Sequence, residues 1–147
     1  MTEARAPTDS GCSFCLIARG QDAAAEILCE SDDWVAFFPL RPATPGHTLV
    51  IPRVHVADLW DAPPALASEL MTGVVRLGRA IQSALAPEGM NLISSSGAIA
   101  EQTVYHLHLH VVPRWRNDGF GHIWPPKHES PATDLREIAQ RIRAACP

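Results

Sequence analysis

The sequence predicts an α+β domain: an antiparallel five-stranded sheet with one long helix and one or two shorter ones. Three observations carry this. Five short apolar runs, rich in β-branched and aromatic residues, are joined mostly by short polar or Pro/Gly-containing links, which favour antiparallel pairing. The stretch "ALASELMTGVVRLGRAIQSALA" places Leu66, Leu70, Val74, Leu77, Ile81 and Leu85 at steps of four, four, three, four and four, one apolar face at helical period. A second amphipathic stretch, "TDLREIAQRIRAA", follows near the end of the chain.

The elements follow in order. Residues 1–11, small and polar, read as a flexible tail, and 12–147 as a single domain. "CSFCLIARG" reads as a short helix closed by Gly20. "EILCES" and "DWVAFF" form a hairpin through a polar turn. "PLRPATPG" is a loop, with three prolines and a glycine in eight residues. "HTLVIP" is a third strand ended by Pro52. The long helix starts near Asp61 and the prolines after it. "MNLISSS" is a fourth strand and "SGAIAEQ" a loop. "TVYHLHLHVVP" is a fifth strand stopped by Pro113, and "RWRNDGFGHIWPPKHESP" is irregular before the terminal helix. The helices are expected on one face of the sheet.

At 147 residues with 46% hydrophobic content, the chain is long enough to bury a core without disulfides. A net charge of -4 and the lack of any basic run argue against a nucleic acid polymer as partner. A small phosphate-bearing molecule stays open, because local donors decide that. The first residues lack the apolar core of a signal peptide, and no run reaches the ~20 apolar residues of a membrane span. A cytoplasmic protein with no membrane partner is expected. In a reducing compartment the four cysteines do not read as a disulfide framework, so the Cys12/Cys15 pair needs another account.

"HLHLH" sets His106, His108 and His110 at alternate positions. On a strand they share one face, with Leu107, Leu109 and Val111 on the other. The outer two backbones lie about 13 Å apart. A tetrahedral zinc wants every nitrogen within ~2.0–2.1 Å, so three rings on one straight strand converge on an ion with difficulty. A division of labour is at least as plausible as a shared metal. Three successive histidines exceed what a solvated sheet face requires.

The segment "HLHLHVV" resembles the signature of the histidine-triad (HIT) family: three histidines alternating with apolar residues, then two apolar positions. "PGHTLVIPRVH" is similar to the family's upstream strand and "EQTVYH" to its approach to the triad. "CSFC" with "DWVAFF", and "DGFGHIW", resemble segments of bacterial, zinc-binding members. The resemblance covers about residues 12–124. It implies a HIT-like fold, usually a homodimer, acting on small-molecule nucleotides at the α-phosphate.

Carried over position by position, the resemblance makes His108 the nucleophile that forms a nucleotidyl-histidine intermediate. It places His110 and His47 near the α-phosphate, and Gln102 and Thr103 at the phosphate or leaving group. Taken alone, Gln102 and Thr103 read first as strand-capping residues and His47 as a satisfied polar residue at a strand start. Phe14, Ile17, Phe37 and Leu40 match nucleoside-contacting positions, although such residues are usually core. Cys12, Cys15, His55 and His106 match the ligands of a structural zinc, a closed Cys2His2 set. A Cys-x-x-Cys redox pair is the competing account, but the surrounding βαβ pattern is missing.

Three positions depart from the family pattern. Pro39 stands where relatives carry an Asp or Asn that holds the ribose hydroxyls. Ser95, a nucleotide-binding position, stands where an amide is common, and Glu101 replaces a glycine. Altered nucleoside selectivity is expected. Within an enzyme reading, a phosphoramidate hydrolase competes with a dinucleoside polyphosphate hydrolase or phosphorylase. A non-catalytic nucleotide-binding or interaction protein with a structural zinc is the alternative, and a zinc scaffold without nucleotide chemistry a third.

Overall fold

The structure is a computed structural model, and residues 11–125 and 132–147 are described. Apart from Gly11, the tail expected over 1–11 lies outside the described residues, as does "PKHESP". The elements are α1 (Ser13–Ala18), β1 (Ile27–Glu30), β2 (Trp34–Phe37), β3 (Thr48–Pro52), α2 (Pro64–Leu85), β4 (Gly89–Ile93), β5 (Leu109–Arg114) and α3 (Ala132–Ala145). A 3-10 turn, Ala98–Ala100, interrupts the link from β4 to β5. All five strands form one antiparallel sheet in the order β1-β2-β3-β5-β4.

Local chemistry sets the element ends. In α1, Gly20 adopts φ +69°, donates its N–H to Ile17 O, and lets Gln21 N–H reach Leu16 O. This is the paired closure in which a left-handed glycine ends a helix, as expected at Gly20. Between β1 and β2, Ser31 Oγ accepts the N–H groups of Asp33 and Trp34. For α2, Pro63 caps the start and Pro64 takes the first helical position, where a missing N–H costs nothing.

The sheet is covered on both faces, and strand parity sorts the side chains. Trp34, Ala36, Val50, Leu107, Leu109 and Val111 pack with Leu70, Val74, Leu77 and Ile81 of α2. The opposite face gathers Val35, Phe37, Leu49 and Ile51 with Ile17 and Ala18 of α1. So α1 lies across the sheet from α2, unlike the one-sided arrangement expected from sequence. Its apolar side is too short for helical periodicity to show which face it covers.

The fifth strand is shorter than its apolar alternation suggests. Ladder bonding begins at Leu109, where β5 pairs with Val50 and runs on to Thr48, with β4 on its other edge. β3 ends at Pro52, which has no N–H to extend a ladder. Residues 103–108 are held instead by Leu107 N–H to Val56 O at 2.7 Å and by side chains.

Two helix glycines separate packing from propensity. A Cβ on Gly73 would sit 2.6 Å from the Trp34 ring, whereas one on Gly78 meets only Met90 Cε at 3.5 Å. Gly-to-Ala in a helix interior gains about 1 kcal/mol of propensity, and overpacking costs about 1–3 kcal/mol. Thermal unfolding is therefore expected to show a raised Tm for Gly78→Ala and a lowered Tm for Gly73→Ala.

Candidate functional site

The face bearing α1 also bears the histidines. His106, at the end of a bend over 104–106, and His108 lie in the irregular segment before β5, and His110 lies on β5 opposite Leu49. Although the ladder starts only at Leu109, the alternation persists: Leu107, Leu109 and Val111 enter the α2 core while His106, His108 and His110 face the other way. Two groups form, one of histidines and one of mixed ligands.

In the first group, the ring centroids of His108 and His110 are 5.0 Å apart, and those of His47 and His110 are 5.2 Å apart. Backbone partners assign the tautomers. Ala43 N–H donates to His47 Nδ1 at 3.0 Å, so the neutral His47 ring carries its proton on Nε2. That nitrogen lies 2.9 Å from His110 Nδ1 and donates to it, which leaves the His110 proton on Nε2. His108 Nδ1 donates to the His106 carbonyl at 2.7 Å, so its Nε2 carries a lone pair. The group thus contains one bare ring nitrogen and one outward N–H donor.

All three rings favour the neutral form. Burial lowers the pKa of His47 and, against the pull of its backbone bond, that of His108. Burial first, then the neighbouring His108 and His47, pushes His110 down to about 4.

In the second group, Cys12, Cys15, His55 and His106 bring their ligand atoms within 4.8 Å of one another. Cys12 Sγ lies 3.5 Å from His106 Nδ1; Cys15 Sγ lies 3.4 Å from His106 Nδ1 and 3.3 Å from His55 Nδ1. A tetrahedron with arms of ~2.0–2.3 Å has edges of roughly 3.3–3.8 Å, so the donor set fits a zinc ion. Both cysteines and His106 are buried. His106 Nε2 donates to Pro52 O at 2.9 Å, leaving Nδ1 bare toward the sulfurs. Cys29 and Cys146 lie outside this set.

The remaining expected residues divide. Phe14 is half-buried and meets Phe37, His106 and His108 edge-on, with centroids at 5.4, 6.0 and 5.3 Å. Ile17 and Phe37 are buried in the α1 core, while Leu40 is 99% exposed. Ser95 is partly buried and Thr103 exposed. Gln102 is buried, and its amide is engaged locally. Its Oε1 accepts Gly97 N–H, and its Nε2 donates to Ala57 O and Val104 O. Glu101 keeps a left-handed φ of +66°, the conformation that favours the glycine it replaces. Sequence reasoning missed Ala43 and Pro52, because backbone donors and acceptors leave no residue signature.

Comparison with known proteins bears on this geometry. The model of the HIT domain matches residues 21–117. The chain belongs to the HIT family. Among its HIT relatives is the adenosine 5'-monophosphoramidase hnt1 of Schizosaccharomyces pombe, 34% identical over 89% of this chain and 95% of that protein. A HIT family crystal structure from Bacillus anthracis shares 37% identity with a TM-score of 0.84, covering 93% of this chain and 98% of the other. A Zn-bound histidine triad family protein from Mycobacterium smegmatis shares 35% identity at TM-score 0.71, covering 94% and 99%. Among the described residues, no helix is long and apolar enough to cross a membrane.

The lowered His110 pKa has a signed consequence. The unfolded chain takes up this proton near pH 6.5, the folded HIT domain only near pH 4. The stability involved is whole above pH 6.5 and is lost as the pH falls toward 4. Tm followed from pH 7.5 to 4.5 is expected to fall more steeply in the wild type than in His110→Phe.

Proposed function

We propose that this protein is a nucleotide hydrolase or transferase that works at the α-phosphate of a nucleotide conjugate through a nucleotidyl-His108 intermediate. The observation that carries this is the His108 tautomer: Nδ1–H is bound to the His106 carbonyl, and Nε2 holds a free lone pair. Nε2 attacks the α-phosphorus while the bond to the leaving group breaks, and the leaving group takes that electron pair. Nδ1 keeps its proton, so the nucleotidyl ring is cationic, and the His106 carbonyl dipole faces that charge. Water then attacks phosphorus, the P–N pair returns to Nε2, and the water's proton passes to solvent. Splitting one displacement into two lowers each barrier.

His110 Nε2–H is the donor for a phosphate oxygen, aimed by the Ala43–His47 relay. Losing such a donor costs about 2.7–4 kcal/mol of transition-state stabilisation in a well-built site. Gln102 acts by fixing the loop ahead of the triad, and Thr103, exposed beside it, is the nearer candidate for the leaving group. Phe14 offers an aromatic wall to the nucleoside. Ile17 and Phe37 shape that wall from the core, with Leu40 and Ser95 as outer contacts.

The metal reading rests on Cys12, Cys15, His55 and His106. A zinc ion held there supplies a cross-link between α1, the segment after β3 and the triad strand. The phosphoramidase reading among the substrate classes draws on the S. pombe relative's name. Residues 12–147 are taken as one cytoplasmic domain that forms a homodimer. Edge strand β4, which among the described residues has a strand neighbour on one side only and leaves Leu92 exposed, supports the pairing. Sedimentation equilibrium at micromolar concentration is expected to return twice the chain mass; a monomer mass overturns that part.

AMP release from adenosine 5'-phosphoramidate and from diadenosine tetraphosphate tests the chemistry. Wild-type protein is expected to release AMP from at least one of them, and His108→Ala from neither. No release by folded, zinc-loaded wild type favours the non-catalytic nucleotide-binding alternative. A site that bonds a hydroxyl rejects an analogue lacking it by roughly 10⁴-fold or more. With Pro39 at the ribose position, 2'-deoxyadenosine 5'-phosphoramidate is expected to turn over within about tenfold of the ribo form.

A further inference from the structure

We propose that Arg53 is a positioning residue for the metal centre: it locks α1, which brings both cysteines, to the β1–β2 turn and the end of β3. The inference rests on reading Cys12, Cys15, His55 and His106 as zinc ligands. Those four come from three separate segments, and the centre exists only if the segments keep register.

The packing of α1 supplies little register by itself. Ile17 and Ala18 lie on Val35, Phe37, Leu49 and Ile51, and apolar contact is non-directional. Phe14 adds edge-on contacts to Phe37, His106 and His108, but a six-residue helix has few directional bonds of its own to set its register. Its closing turn uses the carbonyls of Leu16 and Ile17 through Gly20 and Gln21, and that of Cys15 through Arg19 N–H. The Ala18 carbonyl, the last in the helix, is taken by Arg53 Nη1.

The rest of the guanidinium reaches the turn after β1. Nε donates to Ser31 O at 2.8 Å, and Nη2 to Glu30 Oε2 at 2.6 Å. The Arg53 backbone N–H donates to Asp33 O at 2.9 Å. In sequence, Arg53 follows Pro52, whose carbonyl holds the His106 ring, and precedes the ligand His55 by two residues. One rigid fork therefore joins the cysteine helix to the frame that orients both imidazoles. The three acceptors are met by three separate nitrogens of one planar group, a spread that the single nitrogen of lysine does not span.

The test uses full-length protein, Co2+ as a spectroscopic probe and Zn2+ affinity by chelator competition. Four proteins are compared: wild type, Arg53→Met, Arg53→Lys and the remote core variant Leu77→Ala. Arg53→Met is expected to bind both ions about tenfold more weakly and to shift the visible bands of the cobalt site. Arg53→Lys is expected to fall between it and wild type. Leu77→Ala is expected to lower Tm while leaving affinity and bands unchanged. If Arg53→Met is insoluble, Arg53→Lys decides by the same criteria. Affinity within about twofold of wild type with unaltered bands, or an equal loss in Leu77→Ala, overturns the proposal. Wild-type protein that takes up neither ion overturns the zinc reading beneath it, a result distinct from metal binding indifferent to Arg53.

Discussion

A proline at the end of a central strand organises the site. Pro52 brings no N–H, and the β3–β5 ladder stops short of it, so among the described residues no strand pairs with the chain before Leu109 on that side. The backbone there meets its hydrogen-bonding needs one group at a time, with Leu107 N–H going to Val56 O. The Pro52 carbonyl, turned toward the same segment, accepts the His106 ring N–H. The vacancy left by a missing strand partner is thus filled by a histidine whose second nitrogen faces two thiols.

From that point the two histidine groups share a hinge residue. His106 gives its ring to the sulfur side and its carbonyl to His108. The ring positions are inseparable because a single buried residue fixes both. On the far side of the sheet, Leu107 and Leu109 sit among the α2 side chains. The peptide units carrying the histidines are therefore clamped from both faces, by core packing and by directional bonds. Such clamping fixes the positions of the rings relative to one another.

Much of this was legible in the chain. The alternation of "HLHLHVV" indicated which side chains share a face, and that division holds back to His106 although the ladder starts only at Leu109. The leucine spacing gave α2, and Gly20 gave the end of α1. The pairing of Cys12 and Cys15 with His55 and His106 was available only through resemblance, since no local rule brings together residues some ninety positions apart. Other features left no trace in sequence. The face chosen by α1 is set by a few apolar contacts in a six-residue helix. The relay through Ala43 uses a backbone amide, which every residue but proline possesses. The strained turn at Glu101 runs against residue preference, so sequence rules point away from it.

The acceptor that sets the His108 tautomer is a main-chain carbonyl. A substitution at position 106 removes a ring from the cluster of Cys12, Cys15 and His55, yet it leaves that oxygen in the chain whatever side chain arrives. What orients the neighbouring imidazole is thus stored in chain geometry, while membership of the Cys/His cluster is stored in residue identity. The two properties sit on one residue but are encoded separately, so the side chain can be exchanged without erasing the instruction that tells the next histidine where to keep its proton.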